Sequence, residues 1–394
     1  MKLLVVSTWC PVPPDNGARL RAYHLLRVLA QRHDVTLVTF ADGELPRSTR
    51  DGLRALASRV EVVTGSPFAQ GPLSMRGLFS TTPRSLTQAH HPGMQQAVQR
   101  LAPHCDVALG LEITAAIYLQ HLTVPKVFEE AEVGMLRDQV SRATGLARPR
   151  RWLMWRKTAH FMRGFTCQFE RTTVVSGHER SLLIDIGADP SRLVVVPNGV
   201  DERDLLLPAR PRLARIIYPG SLTYSANFDA VREFLQTTWP LLKTRPGLEF
   251  MVTGSLDGVD LGSLPPHDGV RFTGRVDDVK ALIAESTAVV VPLRVGGGTR
   301  LKILEAMAIG TPVVSTSKGA EGLELVPGAH LLVADTPESW TQHVLSLLDD
   351  PALLHRLSET GRTVVARHYR WAQSAAALED ALEDARSAPL RRAS

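Results

Sequence analysis

The chain has 394 residues, 44% of them hydrophobic, which is enough to bury two cores and points to two domains of a soluble globular enzyme. Its 45 basic and 40 acidic residues leave a formal charge of only +5, too weak a bias to imply nucleic acid as a partner. Three scattered cysteines (Cys10, Cys105, Cys167) have neither Cys-x-x-Cys nor metal-ligand spacing, which argues against a disulfide framework and for a reducing, cytoplasmic setting.

Residues 3–7 read as a first buried strand. They do not read as a secretory signal, because the apolar run is short and Pro11, Pro13 and Pro14 follow it. Gly17 closes that loop, and 18–31 carries a helical pattern with Leu20, Tyr23, Leu26, Val28 and Leu29 mostly on one side. Strands follow at 34–40, 60–63, 106–110, 126–129, 172–176 and 193–196, with helices at 94–101 and 115–120. After the turn cluster at Pro197–Asp201, residues 205–212 mix proline, arginine and leucine without a period, as a linker would. A second series has strands at 215–218, 249–253, 270–272, 288–291 and 313–315, and helices at 226–242, 279–285, 301–309, 338–349, 351–368 and 372–386. Alternation of this kind predicts an α/β chain with a doubly wound parallel sheet in each half. No window approaches about 18 uncharged apolar residues, so no membrane-spanning helix is expected.

The segment Pro292-Leu-Arg-Val-Gly-Gly-Gly-Thr-Arg-Leu-Lys-Ile-Leu-Glu305 carries the most chemistry. It reads as strand, glycine-rich turn and helix. Gly296, Gly297 and Gly298 let the backbone approach a ligand without a Cβ clash. The helix start directs free N–H groups and a positive dipole end at that ligand, and Arg300 and Lys302 add full charge, so phosphate is the natural occupant. Glu305 lies a turn or so further in, where a carboxylate suits the hydroxyls of a sugar or ribose. Phosphate plus hydroxyls means a nucleotide or a nucleotide-sugar, against the plainer reading of an ordinary βα turn.

This segment resembles the donor-site signature of family 4 glycosyltransferases, in its Gly-Gly-Gly-Thr-Arg-Leu-Lys variant. The resemblance runs from Met1 to about Trp371 and is strongest over 194–322, where Asn198 and Gly199 are specific markers. It implies two Rossmann-like domains facing across a cleft, the GT-B architecture: 1–204 on the acceptor side, 205–370 for the donor, and 371–394 as a helix crossing back to the first domain plus a tail. It also implies transfer of a sugar from a nucleoside-diphosphate sugar to an acceptor hydroxyl, with retention of anomeric configuration, and without a metal or other cofactor. Carried over by position, Glu305 would bind the ribose. Gly17, Gly220, Ser221, Asn227, Gly297, Gly298 and Thr299 would contact the donor, and Gly274, Arg275 and Val276 would read its base. Arg300 and Lys302, with the amides of Gly298 and Thr299, would stabilise the leaving diphosphate.

Three departures stand out. Gly297 occupies the place of a family glutamate. The loop Gly220–Asn227 has none of the basic residues common there, so the diphosphate clamp would have moved to Arg300 and Lys302. Ala131 aligns with a family histidine, among Glu129, Glu130 and Glu132; such a run is either a solvated loop or, through Glu130 or Glu132, the group that positions or deprotonates the acceptor hydroxyl. Asn227 could equally cap a helix, and Arg19 could equally be solvated. These departures keep two alternatives open, a nucleotide-sugar-binding protein without transferase activity and a nucleotide-sugar epimerase. The acceptor could be a glycan, a lipid-linked saccharide or a small molecule. Finally, 142–163 holds Arg142, Arg148, Arg150, Arg151, Arg156, Lys157 and Arg163 with no acid, interleaved with Trp152, Leu153, Trp155, Phe161 and Met162. That pattern suits first a helix with its aromatics packed inward, then peripheral contact with the inner face of a membrane or with a polyanionic acceptor, and least of all a grip on nucleic acid.

Overall fold

The computed structural model describes residues 1–65, 83, 86, 90–130, 132–141, 145, 147–208, 210–297 and 300–388. The chain divides into two compact units, Met1–Asn198 with Trp371–Ser394, and Gly199–Arg370. The division falls after residue 198 rather than at 204, because the intervening residues are tied to the second unit. Val200 donates its N–H to Tyr369 O at 2.9 Å, and Asp204 pairs with Lys280.

The first unit is built on β1 (Lys2–Ser7), β2 (Asp34–Ala41), β3 (Arg59–Thr64), β4 (Val107–Leu111), β5 (Lys126–Glu129), β6 (Arg171–Val174) and β7 (Leu193–Val195). They form one parallel sheet in the order β3-β2-β1-β4-β5-β6-β7. The second has β8 (Leu213–Pro219), β9 (Glu249–Thr253), β10 (Val270–Gly274), β11 (Ser286–Val291), β12 (Val313–Ser315) and β13 (Leu332–Val333), parallel in the order β10-β9-β8-β11-β12-β13. Continuous apolar runs such as Leu3–Val6 and Ala288–Val291 are fully buried, as strands covered by helices on both faces must be. Along β8 the faces alternate: Ile216 and Tyr218 join a core with Trp239, Phe250 and Trp340, and Ile217 joins another with Ile303, Leu304 and Met307. In each sheet the strand order reverses once, between β1 and β4 and between β8 and β11. Ligands of such sheets bind at the carboxyl ends of the strands beside that reversal.

Several helices depart from the expected pattern. In α1 (Gly17–Leu29) the buried side is Arg21, Ala22, His24, Leu25, Leu26 and Leu29, with Leu20, Tyr23 and Val28 only half-buried. The face is rotated because two polar residues are partnered inside: Arg21 is hydrogen-bonded, and His24 stacks on Trp371 at 5.0 Å. The expected helix over 226–242 is two, Ser225–Thr237 and Trp239–Leu242, since Pro240 cannot donate a helical hydrogen bond. The helices α2 (Gly134–Ser141) and α3 (Ala147–Thr166) pack on each other, and α2 has no strong sequence signal. β13 has two residues and was too short to read from sequence. No described helix is long and apolar enough to cross a membrane.

Candidate functional site

In the first unit, the carboxyl ends of β1, β4 and β5 bring together Trp9, Glu112, Glu129 and Glu130. Register explains why: Ser7 lies beside Leu111, and Leu111 beside Glu129, so the residues that follow meet at one sheet edge. Arg21 from α1 enters this cluster fully buried. Its Nε donates to Glu129 Oε1 at 2.9 Å, Nη1 to Asn198 Oδ1 at 2.8 Å, and Nη2 to Val196 O at 2.8 Å. Glu130 Oε2 lies 3.7 Å from Arg21 Nε, and Trp9 Nε1 donates to Glu112 Oε2 at 3.1 Å. A recess of about 10 Å³, the room one water or one hydroxyl needs, opens among these side chains.

Glu112 (φ 64°) and Glu130 (φ 63°) are the non-glycine residues with positive φ among those described. The surroundings hold them there: Glu112 N–H donates to Glu129 O at 3.0 Å, and Glu130 N–H to Thr173 Oγ1 at 3.1 Å. Strain kept by hydrogen bonding at a strand end is a common mark of a working site. Burial pushes the Glu112 carboxyl up to about 7, helped by Glu129 and Glu132 and opposed by the Trp9 hydrogen bond and Arg21. Glu130 is raised well above the ordinary carboxylate range, first by burial and then by Glu129, Glu112 and Glu132, against the pull of Arg21. One guanidinium thus serves several carboxylates, and the recess is acidic.

This corrects the solvated-loop reading of the glutamate run. Glu129 is 1% exposed and bonded to Arg21. Glu130 borders the recess, and Glu132 acts on it through its charge. Ala131 lies outside the described residues. Gly17 starts α1 and is exposed; Asn16 caps that helix, accepting from Arg19 N at 3.0 Å. Arg19 pairs with Asp15 at 2.8 Å and lies over Trp9, so its charge has a partner within the loop.

In the second unit, the edge beside β8 and β11 carries the basic cluster. The helix α4 (Leu301–Ile309) begins after the glycine turn, with Arg300 as its N-cap residue and no side-chain cap; left-handed Gly310 (φ 90°) ends it. Lys302 reaches back over β8. Its Nζ donates to Tyr218 Oη at 2.9 Å and lies 4.1 Å from the ring centre, and Tyr218 Oη donates to Asn227 Oδ1 at 2.6 Å. Asn227 Nδ2 then donates to Ser221 O at 2.8 Å. Asn227 is therefore not a helix cap, since Tyr224 holds that position; it fixes the Gly220–Ser221 turn. A side chain at Gly220 would meet Lys302 Nζ at 2.6 Å, so the ammonium lies directly against the turn that has no basic residue of its own.

Gly254, at φ 117°, presses on Ser221 N, where a Cβ would sit at 2.6 Å. Its N–H donates to Gly274 O at 3.0 Å, which links the ends of β8, β9 and β10. Gly274 itself is left-handed (φ 68°), with exposed Arg275 and half-buried Val276 following it. Gly298 and Thr299 lie outside the described residues. The Arg300 guanidinium folds back onto Gly297 O, and its buried Nε has no hydrogen-bond partner among the described residues.

Glu305 lies one turn beyond Lys302. Among the described residues it has no hydrogen bond or ion pair, so it is not a surface glutamate bridged to Arg300 or Lys302. Burial raises its carboxyl to about 7, with Lys280 opposing and Asp204 adding. Burial lowers the Lys302 ammonium to about 7, with Arg300 adding and Glu305 opposing. A cation and a carboxylate are both held uncomfortably in the free protein, which is the arrangement a dianionic, hydroxyl-bearing ligand would relieve.

Sequence reasoning missed Trp9, Arg21, Glu112, Tyr218 and Gly254. Trp9, Glu112, Tyr218 and Gly254 are marked only by following or ending a strand, a position that becomes informative once the sheet order is known, and Arg21 lies within α1, where an arginine carries no sign that it is buried.

Comparison with known proteins gives two matching family models, Glycosyltransferase Family 4 over residues 15–204 and Glycosyl transferases group 1 over residues 214–350. A glycogen synthase of Mycobacterium tuberculosis is 28% identical, over 94% of this chain and 92% of its own. A D-inositol 3-phosphate glycosyltransferase of Kineococcus radiotolerans is 32% identical, over 46% of this chain and 50% of its own. Among solved structures, Anabaena Alr3699/HepE in complex with UDP and glucose has a TM-score of 0.69 at 16% identity, covering 97% of this chain and 99% of that one.

Proposed function

The chain belongs to the family 4 glycosyltransferases, and from that premise we propose that it moves a hexosyl group, with retention, from a nucleoside-diphosphate sugar to an acceptor hydroxyl. Glu305 carries the reading. It is a half-buried carboxylate with no hydrogen bond or ion pair among the described residues, one turn along a helix whose start bears Arg300 and Lys302. Two ribose hydroxyls would give it the donors it lacks, and the diphosphate would sit at the helix start against Lys302 and the unsatisfied Arg300 Nε. A uridine nucleotide is the first donor to try, since the similar Anabaena structure holds UDP and glucose.

Chemically, the acceptor oxygen bonds to the anomeric carbon as that carbon's bond to the diphosphate breaks. Arg300 and Lys302 stabilise the charge gathering on the leaving diphosphate, as preorganised donors do. The acceptor hydroxyl is held by the Glu112–Glu130 pair, and its proton is within reach of a carboxylate whose affinity is already raised. Gly274, Arg275 and Val276 contact the base, Gly220 and Ser221 the phosphates, and Gly297 leaves space where a larger residue would touch the sugar.

The test is thermal stabilisation by UDP, GDP, ADP and TDP and their common sugars, on wild type and Glu305→Ala. One nucleotide family should raise the melting temperature of the wild type and leave the variant unmoved. Stabilisation that survives intact in Glu305→Ala would remove Glu305 from the donor site.

A further inference from the structure

The basic run that the transfer chemistry does not use lies on α3, and its two halves differ. The second half is anchored: Met162, Phe165 and Thr166 are buried, and Trp155 and Phe161 pack against the core of the first unit. The first half is not. Every residue from Arg148 to Met154 is exposed, including three consecutive large apolar ones, Trp152 at 49%, Leu153 at 63% and Met154 at 49%. Elsewhere among the described residues, exposed large hydrophobics occur singly. The inward packing that the sequence suggested therefore holds for Trp155, Phe161 and Met162 and fails for Trp152 and Leu153.

We propose that this projecting end of α3 is a docking tip that seats the enzyme on an anionic lipid membrane. From Arg142 to Arg163 the sequence has seven basic residues and no acid, and five of them (Arg148, Arg150, Arg151, Arg156 and Lys157) lie in or beside the exposed part of α3, so that helix brings only positive charge to the tip. Arg148, Arg150 and Arg151 precede the apolar triplet and Arg156 and Lys157 follow it, placing charge at headgroup height on both sides of groups that enter the acyl boundary. The Arg156 guanidinium lies 5.1 Å from the Trp152 ring centre, which leaves the indole amphipathic in the way interfacial tryptophans are. Arg151 Nη1 donates to Gln139 O at 3.2 Å, tying the tip to α2.

Two other occupants fit less well. A nucleic acid would use the arginines and could stack on Trp152, but it gives nothing to Leu153 and Met154. A second copy of the same tip would set five basic residues against five. An anionic bilayer answers both the charge and the exposed aliphatic surface, and attraction of this kind accumulates with each Lys or Arg near the surface and weakens with salt.

The experiment is flotation of the full-length protein with phosphatidylcholine vesicles, with and without phosphatidylglycerol, across a series of salt concentrations. Two triple variants are compared with wild type, Trp152→Ser/Leu153→Ser/Met154→Ser and Arg148→Ser/Arg150→Ser/Arg151→Ser. All six positions are exposed, so melting temperature and nucleotide-induced stabilisation should match wild type in both, which separates this proposal from the donor-site reading. The expected result is binding to the anionic vesicles only, falling as salt rises, and weakened at least about tenfold in each variant. Absence of vesicle binding by wild type, equal binding to neutral vesicles, undiminished binding by the apolar variant, or retention on DNA with none on vesicles would each overturn it.

Discussion

Glu305 and Lys302 stand three residues apart on one helix, and each is displaced toward its uncharged form, at about 7 in both cases. The consequences for stability have opposite signs. Glu305 rises from an ordinary 4.5, so the stability it contributes is complete below that value and is lost as pH climbs through 7. Lys302 falls from an ordinary 10.5, so its penalty is present at and below 7 and lifts as pH rises from there. Without ligand, the second unit should thus be least stable near neutrality. Glu305→Gln should raise its melting temperature at pH 8 by a few degrees, corresponding to roughly 1–2 kcal/mol after discounting for partial exposure. The same variant should lose the response to nucleotide. A variant that melts lower and still responds would make Glu305 a structural residue. Arg300, Lys302 and Glu305 were legible because they share one short segment with a glycine turn. Tyr218, which fixes the Lys302 ammonium, was not, because the two are separated by 84 positions and meet only when β8 and β11 are neighbours.

Among the elements, α1 is legible as a helix in the sequence while its buried face is not. The apolar period placed Leu20, Tyr23 and Val28 inward, whereas the fold buries Arg21 and His24. Periodicity counts an arginine as a surface residue; only its partners, Glu129 and Asn198, 108 and 177 positions away, show otherwise. Because Glu129 would be left as an uncompensated buried charge, Arg21→Met should cost about 3–5 kcal/mol, far more than loss of an exposed ion pair. A double variant, Arg21→Met/Glu129→Leu, should recover much of that loss, since replacing both partners by apolar groups removes the stranded carboxylate. Chemical denaturation of the two variants checks this; a double variant no better than the single would mean that Arg21 acts chiefly through Asn198 and the carbonyls of Val196 and Pro197. The same logic covers the acidic recess. Glu112 carries no signal within its own segment, and its proximity to Glu129 and Glu130 follows from strand register.

For the whole molecule, two series of strands and helices made the two parallel sheets legible, whereas the return of the last helix to the first unit was expected only through the family resemblance. The chain leaves the first unit after Asn198 and returns to it at Trp371, where the helix Trp371–Ser387 buries Leu378, Ala381, Leu382 and Ala385 and stacks Trp371 on His24. That helix lies next in sequence to the second unit, yet its apolar face belongs to the first. A charge placed in this face should therefore act at a distance in sequence. Leu382→Asp buries a carboxylate with no built partner, a cost of several kcal/mol, and it should fall on the first unit alone. Limited proteolysis should then cut within Met1–Asn198 at temperatures where wild type resists, while the fragment from Gly199 to Arg370 stays protected and keeps its nucleotide response. Equal loss of protection in both would show that the two units unfold as one cooperative body, and the nucleotide would then stabilise the acidic recess of the first unit as firmly as the basic cluster of the second.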